Sequence, residues 1–320
     1  MILTVTLNPL LELRLTYESV ELSRSHRNPI EEYQAGGKGI NVSRQLNKLN
    51  IQNIAFTFLG GNNGKKIKHL LEEEKIDFTS IRIENQSRIG TVVISRSPVT
   101  VTNFFGRNSI ITENEINYFI FKLEKMINNC EMVVFSGSSP SEEAARIFVE
   151  GINLANHKDK ISILDTYGKH LENCIEASPT IIHNNVSELE SSLNTSLQTE
   201  IEKIDLLNFL YSKGIKQSFI TDGENNTYAA NFDFHYIVKN PAIEYVDSTG
   251  SGDAFVAGLI YGFHNNLAFE EYLAIASALG AANASSTNVC KVEYHEIESY
   301  KKEVKIHQAG KKIKMIDDSP

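Results

Sequence analysis

Strand and helix patterns alternate along most of this chain. The first pair is an apolar strand pattern at Ile54–Leu59 followed by a helical pattern at Lys65–Lys75. Later segments repeat the alternation, with strands predicted at Met132–Phe135, Ile161–Leu164, Thr180–His183 and Gln217–Thr221, and helices predicted at Glu142–Ala155 and Leu267–Ser285. This alternation is typical of an α/β fold, in which a mainly parallel sheet has helices on both faces.

Two regions break the alternation. Glu12–Gln34 and Gly90–Phe105 are rich in strand formers and have no helical pattern between their strands. We expect them to form a small antiparallel sheet that projects as a lid and excludes water from a site beneath it. The predicted organisation is one domain over residues 1–320, with lid strands inserted at about 12–34 and 88–107.

Composition limits the classes of partner. The 320 residues carry a net charge of −9, which argues against nucleic acid or an anionic membrane as the main partner. The three cysteines are far apart, as expected for reduced thiols in a cytoplasmic protein. No signal-peptide pattern precedes the first strand, and no apolar run is long enough to span a membrane. The charged tail from Lys311 to Pro320 is expected to be mobile and has no predicted role.

The segment Val246–Phe255 contains a glycine-rich turn directly before a predicted helix. Gly250 and Gly252 would let backbone N–H groups approach an anion at the helix N-terminus, together with the intervening Ser251. Asp253 would then stand beside the anion as a proton acceptor, which is what phosphorylation of a hydroxyl requires. The alternative is an ordinary turn in which Asp253 is favoured by the helix dipole.

A second glycine cluster, Gly36–Val42, precedes another predicted helix. Bare backbone at Gly37 and Gly39 would allow a polar ligand to approach, and the Asn41 amide could bind sugar hydroxyls. The alternative is a tight turn with Asn41 as the helix N-cap. The chain contains neither a P-loop nor a dinucleotide-binding glycine motif, so a nucleotide would be bound in another way.

Together these motifs resemble the PfkB branch of the ribokinase-like carbohydrate kinases. Thr4–Pro9 is similar to the opening of its phosphosugar subgroup, which includes the 1-phosphofructokinases and tagatose-6-phosphate kinases. Gly36–Val42 matches the first family signature, and Asp247–Phe255 matches the second. The resemblance implies a ribokinase-like fold with a β-sheet lid, and ATP-dependent phosphorylation of a sugar hydroxyl.

The resemblance also implies roles for individual residues. Asp253 would be the catalytic base, with the anion hole at Gly250, Ser251 and Gly252. The sugar would be bound by Glu12, Arg27, Gly37, Lys38, Gly39, Asn41 and Arg88. The nucleotide would be bound by Asn185, Thr221, Gly223, Gly250, Gly252 and Asn283. Mg²⁺ would be held by Asn185 and Glu188, whereas a need for K⁺ is left open.

Some of these residues have a second interpretation. Asn185 followed by Glu188 is also a capping box, which needs no metal. Arg27 and Arg88 suit the phosphate of a phosphosugar, because a guanidinium can pair two oxygens at once, but each could be a solvated surface arginine. The sugar end departs from the family pattern: Glu12 stands where Asp is usual, and His183-Asn184 stands where Lys-Pro is usual.

Three functions follow from this resemblance. The first is ATP-dependent phosphorylation of a ketohexose phosphate, as in a 1-phosphofructokinase or a tagatose-6-phosphate kinase. The second is a kinase of a free sugar or a nucleoside, and the third is a non-catalytic regulator that binds sugar phosphates. The implied partners are ATP and a sugar phosphate, together with a second copy of the chain that pairs through the lid.

Overall fold

Fourteen strands and ten α-helices make up the chain in the computed structural model, which describes residues 1–309; the tail from Lys311 lies outside the described residues. The strands are β1 (Ile2–Thr6), β2 (Leu10–Tyr17), β3 (Ile30–Gly36), β4 (Asn53–Gly60), β5 (Phe78–Ile83), β6 (Arg88–Arg96), β7 (Val99–Phe105), β8 (Met132–Ser136), β9 (Ile161–Asp165), β10 (Ile181–Asn185), β11 (Gln217–Thr221), β12 (Thr227–Asn231), β13 (Phe234–Lys239) and β14 (Lys305–Ala309). The helices are α1 (Lys38–Lys48), α2 (Gly61–Glu73), α3 (Glu113–Asn128), α4 (Glu142–His157), α5 (Leu171–Glu176), α6 (Val186–Leu193), α7 (Glu200–Ser212), α8 (Ser251–His264), α9 (Phe269–Ala284) and α10 (Glu298–Glu303).

The main sheet has ten strands in the order β14-β13-β12-β11-β10-β9-β8-β1-β4-β5. The seven strands from β11 to β5 are parallel, and β12, β13 and β14 extend one edge in antiparallel pairs. The mainly parallel sheet predicted from the alternating pattern is therefore confirmed.

Apolar side chains cover both faces of this sheet. On one face, Phe119, Phe148 and Leu207 of α3, α4 and α7 pack against strand residues such as Phe135. On the other face, α1, α8 and α9 pack against the sheet, and the buried run of α8 includes Val256. Both faces of the sheet are buried from solvent, because the helices that connect parallel strands must lie on these faces. No helix of residues 1–309 combines the length and apolar character needed to cross a membrane.

A second sheet of four strands, β3-β2-β6-β7, forms the lid sheet. Strands β2 and β3 lie between β1 and α1 in the chain, and β6 and β7 lie between β5 and α3. The expectation of an antiparallel sheet holds for the outer pairs, whereas the central pair β2–β6 is parallel. This pair is parallel because each strand leaves the carboxyl end of a parallel main-sheet strand, β1 or β5.

The parallel strands end at one common edge of the main sheet. Thr6, Ser136 and Asp165 are register partners at the ends of β1, β8 and β9, and Asn185 pairs with Thr221 at the ends of β10 and β11. The chain departs in opposite directions from β1, toward β4 and later toward β8. Ligands of open α/β sheets bind beside such a reversal, at the carboxyl ends of the strands.

Candidate active site

Helix α8 begins at this edge with Gly250 in the left-handed region, at a φ of 80°. The turn before it is held by Asp247, whose Oδ1 accepts a hydrogen bond from the Thr249 N–H at 2.9 Å. The N–H groups of Gly252 and Asp253 donate to no protein group in residues 1–309. The positive end of the helix dipole and these free N–H groups together form a site for an anion.

Ser251 and Asn283 support this turn from within the protein. The Ser251 N–H donates to the Ser248 carbonyl at 3.0 Å, so it is already engaged and differs from the other predicted anion-hole donors. The Asn283 amide donates to the Thr249 carbonyl at 2.8 Å and to Ser251 Oγ at 3.1 Å, and its Oδ1 accepts from the Cys290 N–H at 2.7 Å. Asn283 is 1% exposed, so its observed role is to hold the turn, and direct contact with a nucleotide stays a prediction.

Asp253 lies in the first turn of α8 and is 3% exposed. Its Oδ2 accepts a hydrogen bond from Asn41 Nδ2 at 2.7 Å, whereas its Oδ1 accepts none from residues 1–309. Burial and the nearby Asp165 carboxylate raise the pKa of Asp253 to about 7, against the opposing effects of Lys38 and Asn41. A carboxylate with this pKa and one free oxygen, beside an anion site, can accept a proton at neutral pH.

Asn41 is held in one orientation by a buried arginine on the same helix, α1. Arg44 Nη1 donates to Asn41 Oδ1 at 2.6 Å, and Arg44 Nη2 donates to the Ala35 carbonyl at 2.6 Å. An arginine only donates, so the Asn41 oxygen must face Arg44 and the Asn41 NH₂ must face Asp253. Asn41 is therefore a hydrogen-bond partner of the predicted base. The alternative of Asn41 as the helix N-cap is wrong, because the N-cap of α1 is Gly37.

Lys38, the first residue of α1, reaches across the strand ends. Its Nζ donates to Glu188 Oε1 at 2.7 Å and to Asp165 Oδ1 at 3.1 Å. Burial alone would lower the pKa of Lys38, but the Asp165 and Glu188 carboxylates raise it well above its usual range. Lys38 therefore stays charged and places a cation beside the carboxylate of Asp253.

His183 lies between Asp165 and the nucleotide segment predicted from the sequence. His183 Nδ1 is 3.1 Å from Asp165 Oδ1, its Nε2 is 3.3 Å from Thr221 Oγ1, and its ring stacks on Phe255 of α8. A side chain at Gly252 would meet the His183 ring at 3.1 Å. His183 thus lies against the anion site.

Asn185 and Glu188 form the capping box that the sequence offered as an alternative to a metal site. The Glu188 N–H donates to Asn185 Oδ1 at 2.8 Å, and the Asn185 N–H donates to Glu188 Oε2 at 3.3 Å. No cluster of three or more His, Cys, Asp and Glu residues within residues 1–309 could hold a metal ion. Nearby Asp165 Oδ2 and Asn184 Oδ1 are buried oxygens without a hydrogen-bond partner, and such hard donors fit Mg²⁺.

Thr221 is the last residue of β11, and Gly223 lies in the turn that follows this strand. A side chain added at Gly223, which has a φ of 56°, would meet nothing within 4 Å, so this turn faces open space. The intervening Asp222 accepts a hydrogen bond from the buried Lys203 of α7 at 2.9 Å, which fixes the segment. This open, fixed turn is compatible with the predicted nucleotide contact.

The glycine cluster packs α1 against β1. A side chain at Gly37, with a φ of 128°, would lie 2.7 Å from Thr6 Cγ2, and one at Gly39 would lie 2.5 Å from Thr6 Oγ1. Only glycine permits this approach, which brings Lys38 and Asn41 to the strand ends. The observed role of Gly37 and Gly39 is to place these two side chains, and their own sugar contacts stay predictions.

Glu12 lies on lid strand β2 and is buried together with Arg14 and Asp247. Arg14 Nη1 donates to Glu12 Oε1 at 2.9 Å, and Arg14 Nη2 donates to Asp247 Oδ2 at 2.6 Å. Glu12 Oε2 accepts no hydrogen bond from residues 1–309, so it is free for a ligand. Arg14 thus connects the Glu12 carboxylate to Asp247 in the turn that precedes α8.

Arg88 lies at the start of β6, where the lid sheet meets the main domain. Its Nη2 donates to the Asn8 carbonyl at 2.9 Å, and the Asn8 amide donates at 3.0 Å to both Asn108 Oδ1 and Ser138 Oγ. Arg88 Nε and Asn8 Oδ1 are buried without a hydrogen-bond partner. A guanidinium with an unused N–H in a polar cluster fits the predicted contact with a phosphate.

The structure does not bring Arg27 to this site within one chain. Arg27 is exposed in the loop between β2 and β3, beyond the pair Thr16–Ile30, whereas the site end of the hairpin is the pair Leu10–Gly36. Six residues of extended strand separate the two ends by about 20 Å. The resemblance implied a phosphate contact for Arg27, but the hairpin places this residue at the far end of the lid sheet.

Three residues of the site were not predicted from the sequence: Arg14, Asp165 and His183. Asp165 and His183 had a recognisable signal, since each is a polar residue at or near the carboxyl end of a buried parallel strand. Arg14 had none, because a lone arginine in a strand-rich segment is usually solvated.

Comparisons with known proteins agree with this geometry. The model of the pfkB family carbohydrate kinases matches residues 11–294. A 1-phosphofructokinase of Borreliella burgdorferi is 30% identical over 296 residues, which are 92% of this chain and 94% of that protein.

Solved structures show the same fold. A Thermotoga maritima protein described as a possible 1-phosphofructokinase superposes with a TM-score of 0.89 at 25% identity, over 97% of this chain and all of that one. Phosphofructokinase-2 of Escherichia coli shares the fold, with a TM-score of 0.84 at 20% identity over 94% of this chain and 98% of that one. The resemblance inferred from the two glycine motifs is confirmed, and the chain belongs to the pfkB family of carbohydrate kinases.

Proposed function

We propose that this carbohydrate kinase transfers the γ-phosphoryl group of ATP to a hydroxyl of a ketohexose phosphate, as a 1-phosphofructokinase does. The observation that carries the proposal is Asp253: a buried carboxylate with one free oxygen, next to the unengaged N–H groups of Gly252 and Asp253. The sugar hydroxyl attacks the γ-phosphorus, its proton passes to Asp253 Oδ1, and the bond to the β,γ-bridging oxygen breaks to release ADP.

Positioning and electrostatics provide most of the acceleration in phosphoryl transfer. The N–H groups at the start of α8 stabilise the negative charge on the transferring group, and Lys38 adds a permanent positive charge nearby. Bound Mg²⁺ would neutralise charge on the nucleotide phosphates, with Glu188, Asn185 and Asp165 as the residues to hold it, directly or through water.

Arg88 favours a substrate that already carries a phosphate. Its unpartnered Nε lies in a cluster with Asn8, Asn108 and Ser138 at the base of the lid sheet. Leaving a buried donor unpaired is costly, and a phosphate oxygen would satisfy it. Glu12 Oε2 and the second N–H of the Asn41 amide have no partner within residues 1–309, which leaves them available for hydroxyls of such a sugar.

We also propose that the chain forms a homodimer through the lid sheet. Leu13, Tyr33 and Phe104 lie on the same face of this sheet by register, opposite the face of Arg14, and are partly or largely exposed. An exposed apolar face of this kind is typical of an association surface. Light scattering of the wild type and of a Phe104→Lys variant tests this: loss of a dimer supports it, and a monomeric wild type contradicts it.

The test of function is ADP release by the purified wild type. Fructose 1-phosphate, fructose 6-phosphate, tagatose 6-phosphate, free fructose, ribose and a nucleoside are compared, each with Mg²⁺ and with Na⁺ or K⁺. Asp253→Asn is the control for a contaminating kinase, because it removes the base while preserving side-chain shape.

The outcomes separate the three functions considered. Turnover of a phosphorylated ketohexose above the others supports the proposal. Preference for a free sugar or nucleoside identifies a different kinase. Tight binding of a sugar phosphate in calorimetry without ADP release identifies a non-catalytic regulator.

A further inference from the structure

We propose that Arg14 is a positioning residue that couples occupancy of the sugar site at Glu12 to the geometry of the anion site at the start of α8. This inference rests on the proposed function, because it assumes that Glu12 contacts the acceptor sugar. Its consequence is that sugar and nucleotide bind cooperatively and that phosphoryl transfer requires both ends of the connection.

The connection is short and consists of side-chain contacts. The Arg14 guanidinium joins Glu12 Oε1 at 2.9 Å to Asp247 Oδ2 at 2.6 Å, two carboxylates that are 235 positions apart in sequence. Asp247 then uses its second oxygen to accept the Thr249 N–H at 2.9 Å. Thr249 directly precedes Gly250, at which α8 begins.

The guanidinium is well suited to transmit a displacement. It is planar and rigid, so the positions of its two Nη atoms relative to each other are fixed. Glu12, Arg14 and Asp247 have side chains that are 9%, 4% and 4% exposed, which leaves them little freedom to rearrange independently. A sugar hydroxyl that draws Glu12 toward it therefore changes the position of Asp247 as well.

The charges of Glu12, Arg14 and Asp247 also couple these three residues. Arg14 is the only residue that forms an ion pair with Glu12 or Asp247 in the described part of the chain. Two buried carboxylates thus share one cation, and each competes for it. When a sugar hydroxyl donates to Glu12, that carboxylate is partly neutralised, and Arg14 is freer to pair closely with Asp247 and to order the 247–250 turn.

The test is the affinity for a non-hydrolysable ATP analogue with Mg²⁺, measured by calorimetry with and without a saturating ketohexose phosphate that the wild type phosphorylates. We expect the sugar phosphate to tighten nucleotide binding at least about fivefold in the wild type. Asp247→Asn keeps the shape of the side chain and can still accept the Thr249 N–H, but it loses the ion pair. We expect it to reduce this ratio below about twofold.

Two further variants keep the result interpretable. Arg14→Lys retains the charge but not the rigid fork, and we expect the same loss of coupling. Glu113→Gln breaks the 2.7 Å pair with Arg146 between α3 and α4, away from the site, and should retain the ratio of the wild type. A purely structural role for Arg14 would lower the melting temperature without changing the ratio.

Each outcome decides the inference. It is overturned if the wild type shows no coupling, or if either Asp247→Asn or Arg14→Lys folds and keeps the wild-type ratio. If neither variant folds, Glu12→Gln is measured in the same way, and an unchanged ratio there overturns it. Failure of the proposed function is a separate result, because it appears as a wild type that phosphorylates no ketohexose phosphate.

Discussion

The side-chain amide of Asn41 donates a 2.7 Å hydrogen bond to Oδ2 of Asp253, so the two glycine-led helices α1 and α8 meet at the predicted base. This contact engages one carboxylate oxygen and leaves the other available to the substrate. It also places the two sequence signatures, which are about 200 residues apart, in one site. The predictions below follow from this arrangement.

Asp253→Asn should lower kcat by about 10²- to 10⁴-fold, because general-base catalysis contributes that much. The KM for ATP should change little, since the N–H groups of the α8 turn remain. Steady-state ADP release measures both constants, and circular dichroism checks the fold. Turnover near that of the wild type would show that another group accepts the proton.

Activity should rise with pH through about 7. The pKa of Asp253 is raised to about 7, and the residue works as a base only when it is ionised, so protonation below that pH removes activity. The profile of kcat/KM against pH should show this ionisation on its acid side, in addition to the ionisations of the phosphate groups of ATP and the sugar phosphate. Asn41→Ala removes a donor that lowers the pKa of Asp253, and it should therefore move this midpoint to higher pH. A midpoint that stays near pH 4 in both proteins would contradict the assignment.

Gly250→Ala should destabilise the fold by about 1–3 kcal/mol, the usual cost of a strained backbone position. The backbone has a φ of 80°, and the new Cβ would lie 2.6 Å from Val289 Cγ1 and 3.0 Å from Cys290 Sγ. Gly223→Ala is the matched control, because it has a similar φ but open space around it. Urea unfolding should show the larger loss of unfolding free energy for Gly250→Ala. Equal losses in the two variants would mean that the contacts with Val289 and Cys290 do not contribute.

Arg88→Ala should raise the KM for the sugar phosphate by about 10- to 100-fold, since a hydrogen bond to a charged group contributes about 1.5–3 kcal/mol. The KM for ATP should stay within about twofold. Arg24→Ala is the control within the same lid sheet region, because Arg24 is exposed in the loop between β2 and β3. An unchanged KM for the sugar phosphate in Arg88→Ala would remove the support for a phosphorylated substrate.

Arg44→Met should lower the free energy of unfolding by about 3 kcal/mol, because breaking a buried ion pair leaves a charge without a partner. Arg44 is 3% exposed, holds Asn41 Oδ1 and pairs with Glu74. Arg146→Met breaks a more exposed pair and should cost less than about 1 kcal/mol. Urea unfolding monitored by circular dichroism compares the two, and similar losses would contradict the role given to Arg44.

Much of the fold followed from local pattern. Strand and helix positions agree with the alternation, since each depends on side-chain periodicity within a few residues, as at Ile54–Leu59 in β4. The lid sheet was also predictable, because its segments lack a helical pattern. The parallel pairing of β2 with β6 was not, because the direction of a pair depends on where each strand leaves the main sheet.

The sequence by itself determined the site elements that are local in the chain. Gly250 and Asp253 are placed by one turn and the helix N-terminus that follows it. Asn185 and Glu188 are placed by one capping box. Spacing along the chain was therefore sufficient to predict that the residues of each pair lie together. These contacts span at most three or four residues, within the range at which backbone geometry fixes side-chain neighbours.

Only the tertiary structure decided which distant charges meet. Arg14 pairs with Asp247, and Lys38 with Glu188 and Asp165, across separations of 127 to 233 residues. Charged residues that pair across the fold have no characteristic spacing in the sequence. Their partners are therefore known only once the order of the strands in the sheet is known. The position of Arg27 also depended on the tertiary structure. In an extended hairpin a short separation in sequence corresponds to a long distance, so Arg27 lies at the far end of the lid sheet.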